Sequence, residues 1–121
     1  MASLTVVSGP AEGRYFALHR PVTVVGRSDR CDAQVVDEAV SSRHFQVRSA
    51  DGAWHVKDLK STNGLAINDA QVTGETRLVD GDRIEAGNSV IIFSTRDFPD
   101  RDSALAFFKL PGQTDRDTMI Q

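Results

Sequence analysis

Apolar and polar residues alternate over short runs along most of this chain, and each run stops at a cluster of Gly, Asp, Asn or Ser. The runs are Leu4-Thr5-Val6-Val7, Arg14-Tyr15-Phe16-Ala17-Leu18, Val22-Thr23-Val24-Val25, Ala33-Gln34-Val35-Val36 and His44-Phe45-Gln46-Val47-Arg48. They continue as Trp54-His55-Val56-Lys57, Leu65-Ala66-Ile67, Arg83-Ile84-Glu85-Ala86 and Val90-Ile91-Ile92-Phe93. In Phe45 and Val47, or Trp54 and Val56, every second position is apolar, which is the period of a strand with one buried face. Many short strands punctuated by turns predict an all-β sandwich. Asp51-Gly52 predicts a hairpin, because both residues tolerate the positive φ of a two-residue turn, and Asp80-Gly81 reads the same way.

Beyond Thr95 the texture changes. Arg96 to Asp102 is charged and turn-prone, Ser103 to Leu110 carries two phenylalanines, Pro111-Gly112 stops that segment, and the remainder is polar. One domain is therefore expected over residues 1–95, followed by a tail or linker over 96–121 with a short helix around 103–110. Asp102 or Ser103 would cap that helix, with Leu105 and Phe108 on one face. The chain runs out at Gln121 without a structural stop, as expected for a piece of a longer protein with further domains.

Composition narrows the function. At 121 residues and 40% hydrophobic, the chain suits one globular domain that buries a core without metal or disulfide help. It has neither a signal-peptide pattern nor an apolar run long enough to span a membrane, so a cytoplasmic protein without membrane attachment is expected. Cys31 is the sole cysteine and has no partner spacing for zinc, which fits a reducing compartment and predicts no metal and no cofactor. The net charge of −3, with both signs interspersed, leaves no broad basic face, so nucleic acid is not an expected partner and any anion site must be local.

One such local site is written in the order of polar clusters. Gly26-Arg27, Ser41-Ser42-Arg43-His44, Ser61-Thr62-Asn63-Gly64 and Asn68 each fall where a strand pattern ends, which gathers an arginine, hydroxyls and amides at one rim of a β-scaffold. Those groups hold phosphate through charge and directed hydrogen bonds. No nucleophile stands beside a base, and no carboxylate-histidine cluster accompanies them, so an enzyme is not expected. Arg27 follows a glycine that lets the backbone turn sharply, and the fork of its guanidinium suits phosphate oxygens; the alternative is a rim ion pair with Asp29 or Asp32. His19 and His55 read as surface residues.

Gly26-Arg27, the Ser-x-x-His of Ser41 to His44, the segment Asp58-Leu59-x-Ser61-x-Asn63-Gly64, Asn68 and Leu78-x-x-Gly81-Asp82-x-Ile84 together resemble a forkhead-associated (FHA) domain over roughly residues 3 to 94. The resemblance implies a SMAD/FHA-like sandwich of about eleven mostly antiparallel strands that binds phosphothreonine in partner proteins through loops at one end. A phosphothreonine-containing protein or peptide is then the partner, and a Ser/Thr kinase acts upstream. The alternative is a scaffold that keeps the fold and binds proteins without phosphate.

By that resemblance Arg27, Ser41 and Thr62 contact phosphate, Asn63 clamps the ligand main chain, and Ser42 stands where relatives often carry a longer side chain. Gly26, His44, Gly64 and Asn68 support the site, and His44 is expected to tie the binding loops together by hydrogen bonds. Arg43, Lys60 and Arg30 are auxiliary sources of positive potential, screened by salt. Charge-assisted bonds of about 1.5–3 kcal/mol each, less the ordering of a flexible peptide, give binding near −8 kcal/mol, around micromolar. Thr114 and Thr118 lie in the polar tail, and either, once phosphorylated, is a candidate ligand for the pocket of the same or a neighbouring molecule.

Overall fold

The computed structural model describes residues 2–98 and 100–108. Eleven strands and one helix follow in chain order: β1 (Ser3–Ser8), β2 (Tyr15–Ala17), β3 (Val22–Gly26), β4 (Ala33–Gln34), β5 (Phe45–Ala50), β6 (Ala53–Asp58), β7 (Leu65–Ile67), β8 (Ala70–Gln71), β9 (Glu75–Leu78), β10 (Arg83–Ala86), β11 (Ser89–Ser94) and α1 (Arg101–Phe107). They form a six-stranded sheet, β2-β1-β11-β10-β7-β8, and a five-stranded sheet, β4-β3-β5-β6-β9. All neighbours are antiparallel except β3 and β4, which pair in parallel over Val25–Ala33 and Gly26–Gln34.

Alternation builds the core between the sheets. Leu4, Val6, Ile84, Ile91 and Phe93 of one sheet meet Val25, Phe45, Val47 and Val56 of the other, all buried. Trp54 packs on Phe93 across the interface, ring centroids 5.9 Å apart. The opposite face of β1 is buried as well, with Ser3 and Thr5 fully covered, and α1 packs on that strand with Ala104 buried. A strand covered on both faces explains why its small and apolar residues run without a solvent-facing charge.

Where the structure departs from the sequence-based expectation, local physics gives the reason. Asp80-Gly81 does not close a hairpin: β9 and β10 belong to different sheets, and Gly81, at φ 91°, turns the chain across the sandwich. Asp51-Gly52 does close one, with both residues at positive φ and Ala50 paired to Ala53. The run from Ala33 stops pairing at Gln34, where its parallel partner β3 ends, and Val36 is exposed. His55 is half-buried rather than on the surface, set between Arg48 and Arg77 on neighbouring strands, and its Nδ1 is buried without a partner. The helix starts earlier than Asp102 or Ser103, because the Asp100 carboxylate accepts the Ser103 N–H at 2.9 Å and caps the first turn. Thr114 and Thr118 lie outside the described residues.

Candidate functional site

Strand direction sets which loops meet. β3, β10 and the segment leading into β5 bring Arg27, Gly87 and Ser41 to one end of the sandwich, and β6 delivers Leu59 to Gly64 to the same end. Gly26 ends β3 against the backbone of Ser42, where a Cβ would lie 2.2 Å from the Ser42 carbonyl oxygen. Only glycine permits that approach. It lets the Arg27 N–H donate to Ser41 O at 2.9 Å and the Ser28 N–H donate to Ser42 O at 3.2 Å.

Ser41 is the hub of the rim. Its backbone N–H donates to His44 Nδ1 at 3.0 Å, and its Oγ accepts the Thr62 N–H at 2.9 Å. With one lone pair used, the hydroxyl proton remains free to be donated outward. The other ring nitrogen of His44, Nε2, donates to Gly64 O at 2.7 Å, so the buried imidazole is the tautomer protonated there and joins the Ser41 loop to the Thr62 loop. Gly64, at φ 81°, is in the left-handed region that puts its carbonyl at the ring. Asn63 Nδ2 donates to Ala39 O at 2.9 Å, a third link between the same loops, and leaves the amide oxygen and one N–H unspent.

The side chains aimed at solvent complete the constellation. Arg27, Ser42, Arg43, Lys60, Thr62 and Asn63 are exposed and Ser41 is half-buried. The Arg27 guanidinium makes no ion pair within the described residues; Asp32, one of the two acids that could have captured it, instead pairs with Arg20 at 3.3 Å and accepts the Val24 N–H. Arg30 lies in the neighbouring loop, and Lys60 stands at φ 60° in a turn whose ends are joined by hydrogen bonds from Ser61 to the Asp58 carboxylate. Cys31 Sγ donates to Ser42 O at 3.0 Å, and burial pushes its thiol up, only partly offset by the Ser28 hydrogen bond and by Arg43.

The structure does not bring Asn68 to this rim. β7 carries the chain away from Gly64, so Asn68 sits at the far end, where its amide donates to Asp82 Oδ1 and accepts the Arg83 N–H, both at 2.9 Å. In its place the fold uses a residue the sequence reading passed over. Asp37 is buried and accepts the Ala39 N–H, the Asn88 N–H and the Ser89 hydroxyl at 2.7–2.9 Å, which ties the Ser41 loop to the β10–β11 turn. Burial alone would raise its pKa, but the hydrogen bonds from Ser89, Ala39 and Asn88 outweigh it and hold the carboxyl below its usual range. Little in the sequence marks Asp37, because the two partners that tie it to the β10–β11 turn lie 51 and 52 positions away.

Among the described residues no group of three or more His, Cys, Asp or Glu could hold a metal ion, and no helix is long and apolar enough to cross a membrane. A sequence profile described as "Inner membrane component of T3SS, cytoplasmic domain" matches residues 5–97. The oxoglutarate dehydrogenase inhibitor of Corynebacterium diphtheriae is 37% identical over 90 residues, 74% of this chain and 62% of that protein. The glycogen accumulation regulator GarA of Mycolicibacterium smegmatis is 35% identical over 94 residues, 78% of this chain and 59% of that protein. The chain thus spans about three-fifths of the length of these relatives. An FHA domain solved in a study of phosphothreonine-dependent FHA interactions superposes with a TM-score of 0.72 at 33% identity, covering 80% of this chain and 98% of that one. The FHA domain of FhaA, solved in complex with an intracellular domain of another protein, gives 0.69 at 34% identity over 77% of this chain and 99% of that one. FhaA itself is a protein of Mycobacterium tuberculosis.

Proposed function

Because the chain belongs to the forkhead-associated family, we propose that it is a non-enzymatic interaction module that binds phosphothreonine in partner proteins marked by a Ser/Thr kinase. Residues 1–95 form the reading domain, residues 96–121 form a tail or linker, and the protein works in the cytoplasm. The observation that carries this reading is the convergence on Ser41: the Arg27 and Thr62 amides both bond to that one residue, at 2.9 Å each, although they come from loops far apart in sequence.

Each group then has a distinct task. The Arg27 guanidinium supplies charge and a fork of donors, the free Ser41 hydroxyl proton and the Thr62 side chain donate to the remaining phosphate oxygens, and Ser42 adds a short contact at the edge. The unspent half of the Asn63 amide takes a peptide N–H and C=O beside the phosphoresidue, which fixes an extended backbone without reading its side chains. Gly26, His44 and Gly64 hold the loops in place before ligand arrives, so less ordering accompanies binding. The phosphate then meets donors already aimed at it.

Titration of matched phosphothreonine, phosphoserine and unphosphorylated peptides against wild type and Arg27→Ala tests the reading. Phosphate-dependent binding that weakens about 10- to 100-fold on loss of Arg27 is expected. Binding that ignores phosphate, or is unchanged in Arg27→Ala, would instead make the domain a phosphate-independent scaffold.

A further inference from the structure

The two sides of the phosphate-binding edge carry opposite charge. On the side over the five-stranded sheet, one hollow of 450 Å³ is lined by Ser28, Arg30, Cys31, Ser42 and Arg43, and a second of 320 Å³ by Arg43, Lys57, Asp58 and Lys60. Arg43 borders both. On the side over the six-stranded sheet, a hollow of 300 Å³ is lined by Asn63, Gly64, Asp69, Gln71 and Glu85.

The two acids that line these hollows are already committed. Asp58 accepts both Ser61 hydrogen bonds, and Asp32, which also borders the first hollow, pairs with Arg20. Arg30, Arg43, Lys57 and Lys60 make no ion pair within the described residues, and Glu75 on the strand beside Lys57 forms its bidentate pair with Arg48. The hollow on the second side runs from Asn63 and Gly87 along β7 and β10 toward the far-end turn, where Arg83 bridges Asp69 at 2.8 Å and Glu85 at 3.5 Å, one cation against two carboxylates. Arg30, Arg43, Lys57 and Lys60, four of the cations without an ion pair among the described residues, thus stand together along one flank of the phosphate site.

We propose that this edge is a polarised reader: anionic side chains next to the phosphothreonine, whether carboxylates or a second phosphate, are favoured on the Arg43 flank and disfavoured on the Asn63 flank. The inference rests on the phosphothreonine reading and adds a sequence preference that the backbone clamp of Asn63 does not supply. Each added charge lies near solvent-exposed cations, so single contacts are weak and several together set the preference. The effect is electrostatic and fades as salt rises.

Four peptides around one phosphothreonine test it: alanines on both sides, two aspartates on the N-terminal side, two on the C-terminal side, and a second phosphothreonine on whichever side the aspartates favour. Aspartates on one side are expected to tighten binding about three- to tenfold, and on the other to leave it unchanged or weaken it. The gain should shrink at high salt and fall in Lys57→Gln, an exposed position on β6, while binding of the alanine-flanked peptide stays as in wild type. A larger gain from the second phosphothreonine assigns the flank to phosphate; an equal or smaller one assigns it to carboxylates. Equal effects of aspartates on both sides, or a gain untouched by both salt and Lys57→Gln, overturn the proposal. Arg27→Ala on the alanine-flanked peptide reports on phosphothreonine reading separately, so a normal loss there without a flank preference removes the polarity alone.

Discussion

The two ends of this sandwich are built by different means. At the far end, Asp51-Gly52 and Asn68-Asp69 close two-residue turns through their own positive φ values, and Asn68, Asp80 and Asp82 bond to groups no more than 15 positions away. At the ligand end the loops are longer, and side chains hold them to one another: Ser41 to Thr62 across 21 positions, Asn63 to Ala39 across 24, and Asp37 to Ser89 across 52. Local turns need only the right residue in the right place. A surface that meets a ligand must align several loops at once, and hydrogen bonds between loops do this with a directionality that apolar packing lacks.

Substitutions that separate the ends should behave differently in stability and in binding. The largest effect is expected from His44→Ala, which removes a fully buried ring bonded to both Ser41 and Gly64. Denaturant unfolding should lose about 3–4 kcal/mol, and phosphopeptide binding should fall beyond the loss of folded protein because two loops are released together. Asp37→Ala should come next, at about 2–4 kcal/mol, since it orphans two backbone N–H groups and a hydroxyl in a buried place. Intact binding by folded Asp37→Ala protein would show that the β10–β11 turn does not position the Ser41 loop.

The same carboxylate makes the ligand end sensitive to acid. Its folded pKa lies below the unfolded value of about 3.9, so its stabilisation is complete above that pH and disappears as pH falls through the folded pKa. Wild-type stability measured from pH 6 downward should therefore decline more steeply than that of Asp37→Asn, which has no such charge to protonate. Superimposable acid limbs for the two proteins would contradict this. The smallest effect is expected at the far end: Asn68→Ala loses two hydrogen bonds and a residue suited to φ 51°, costing about 1–2 kcal/mol with phosphopeptide affinity unchanged. A matching loss of affinity would mean that the ends are coupled through the sheets.

This contrast also decides what was legible in the sequence. The strands that alternate cleanly, such as Phe45 to Val47, announce themselves, as does the Asp51-Gly52 turn. β8 does not, because Ala70 and Gln71 are both exposed and a strand of two residues has no period to show. β9 hides for another reason: Glu75 and Arg77 occupy its outer face, so only Thr76 and Leu78 turn inward. Gly26, Ser41, His44 and Thr62 stand out as an ordered motif, and the chain does bring them together. Asp37 and the opposed charges of the two flanks emerge only when residues distant in sequence are folded into contact.

Backbone amide chemical shifts of the protein titrated with a phosphothreonine peptide and its unphosphorylated twin test the central claim most directly. The account predicts phosphate-dependent shifts concentrated at Arg27, Ser41, Ser42, Thr62 and Asn63, with the turns at Asp51-Gly52 and Asn68-Asp69 silent. Shifts that are the same for both peptides, or that gather away from those five amides, would contradict it.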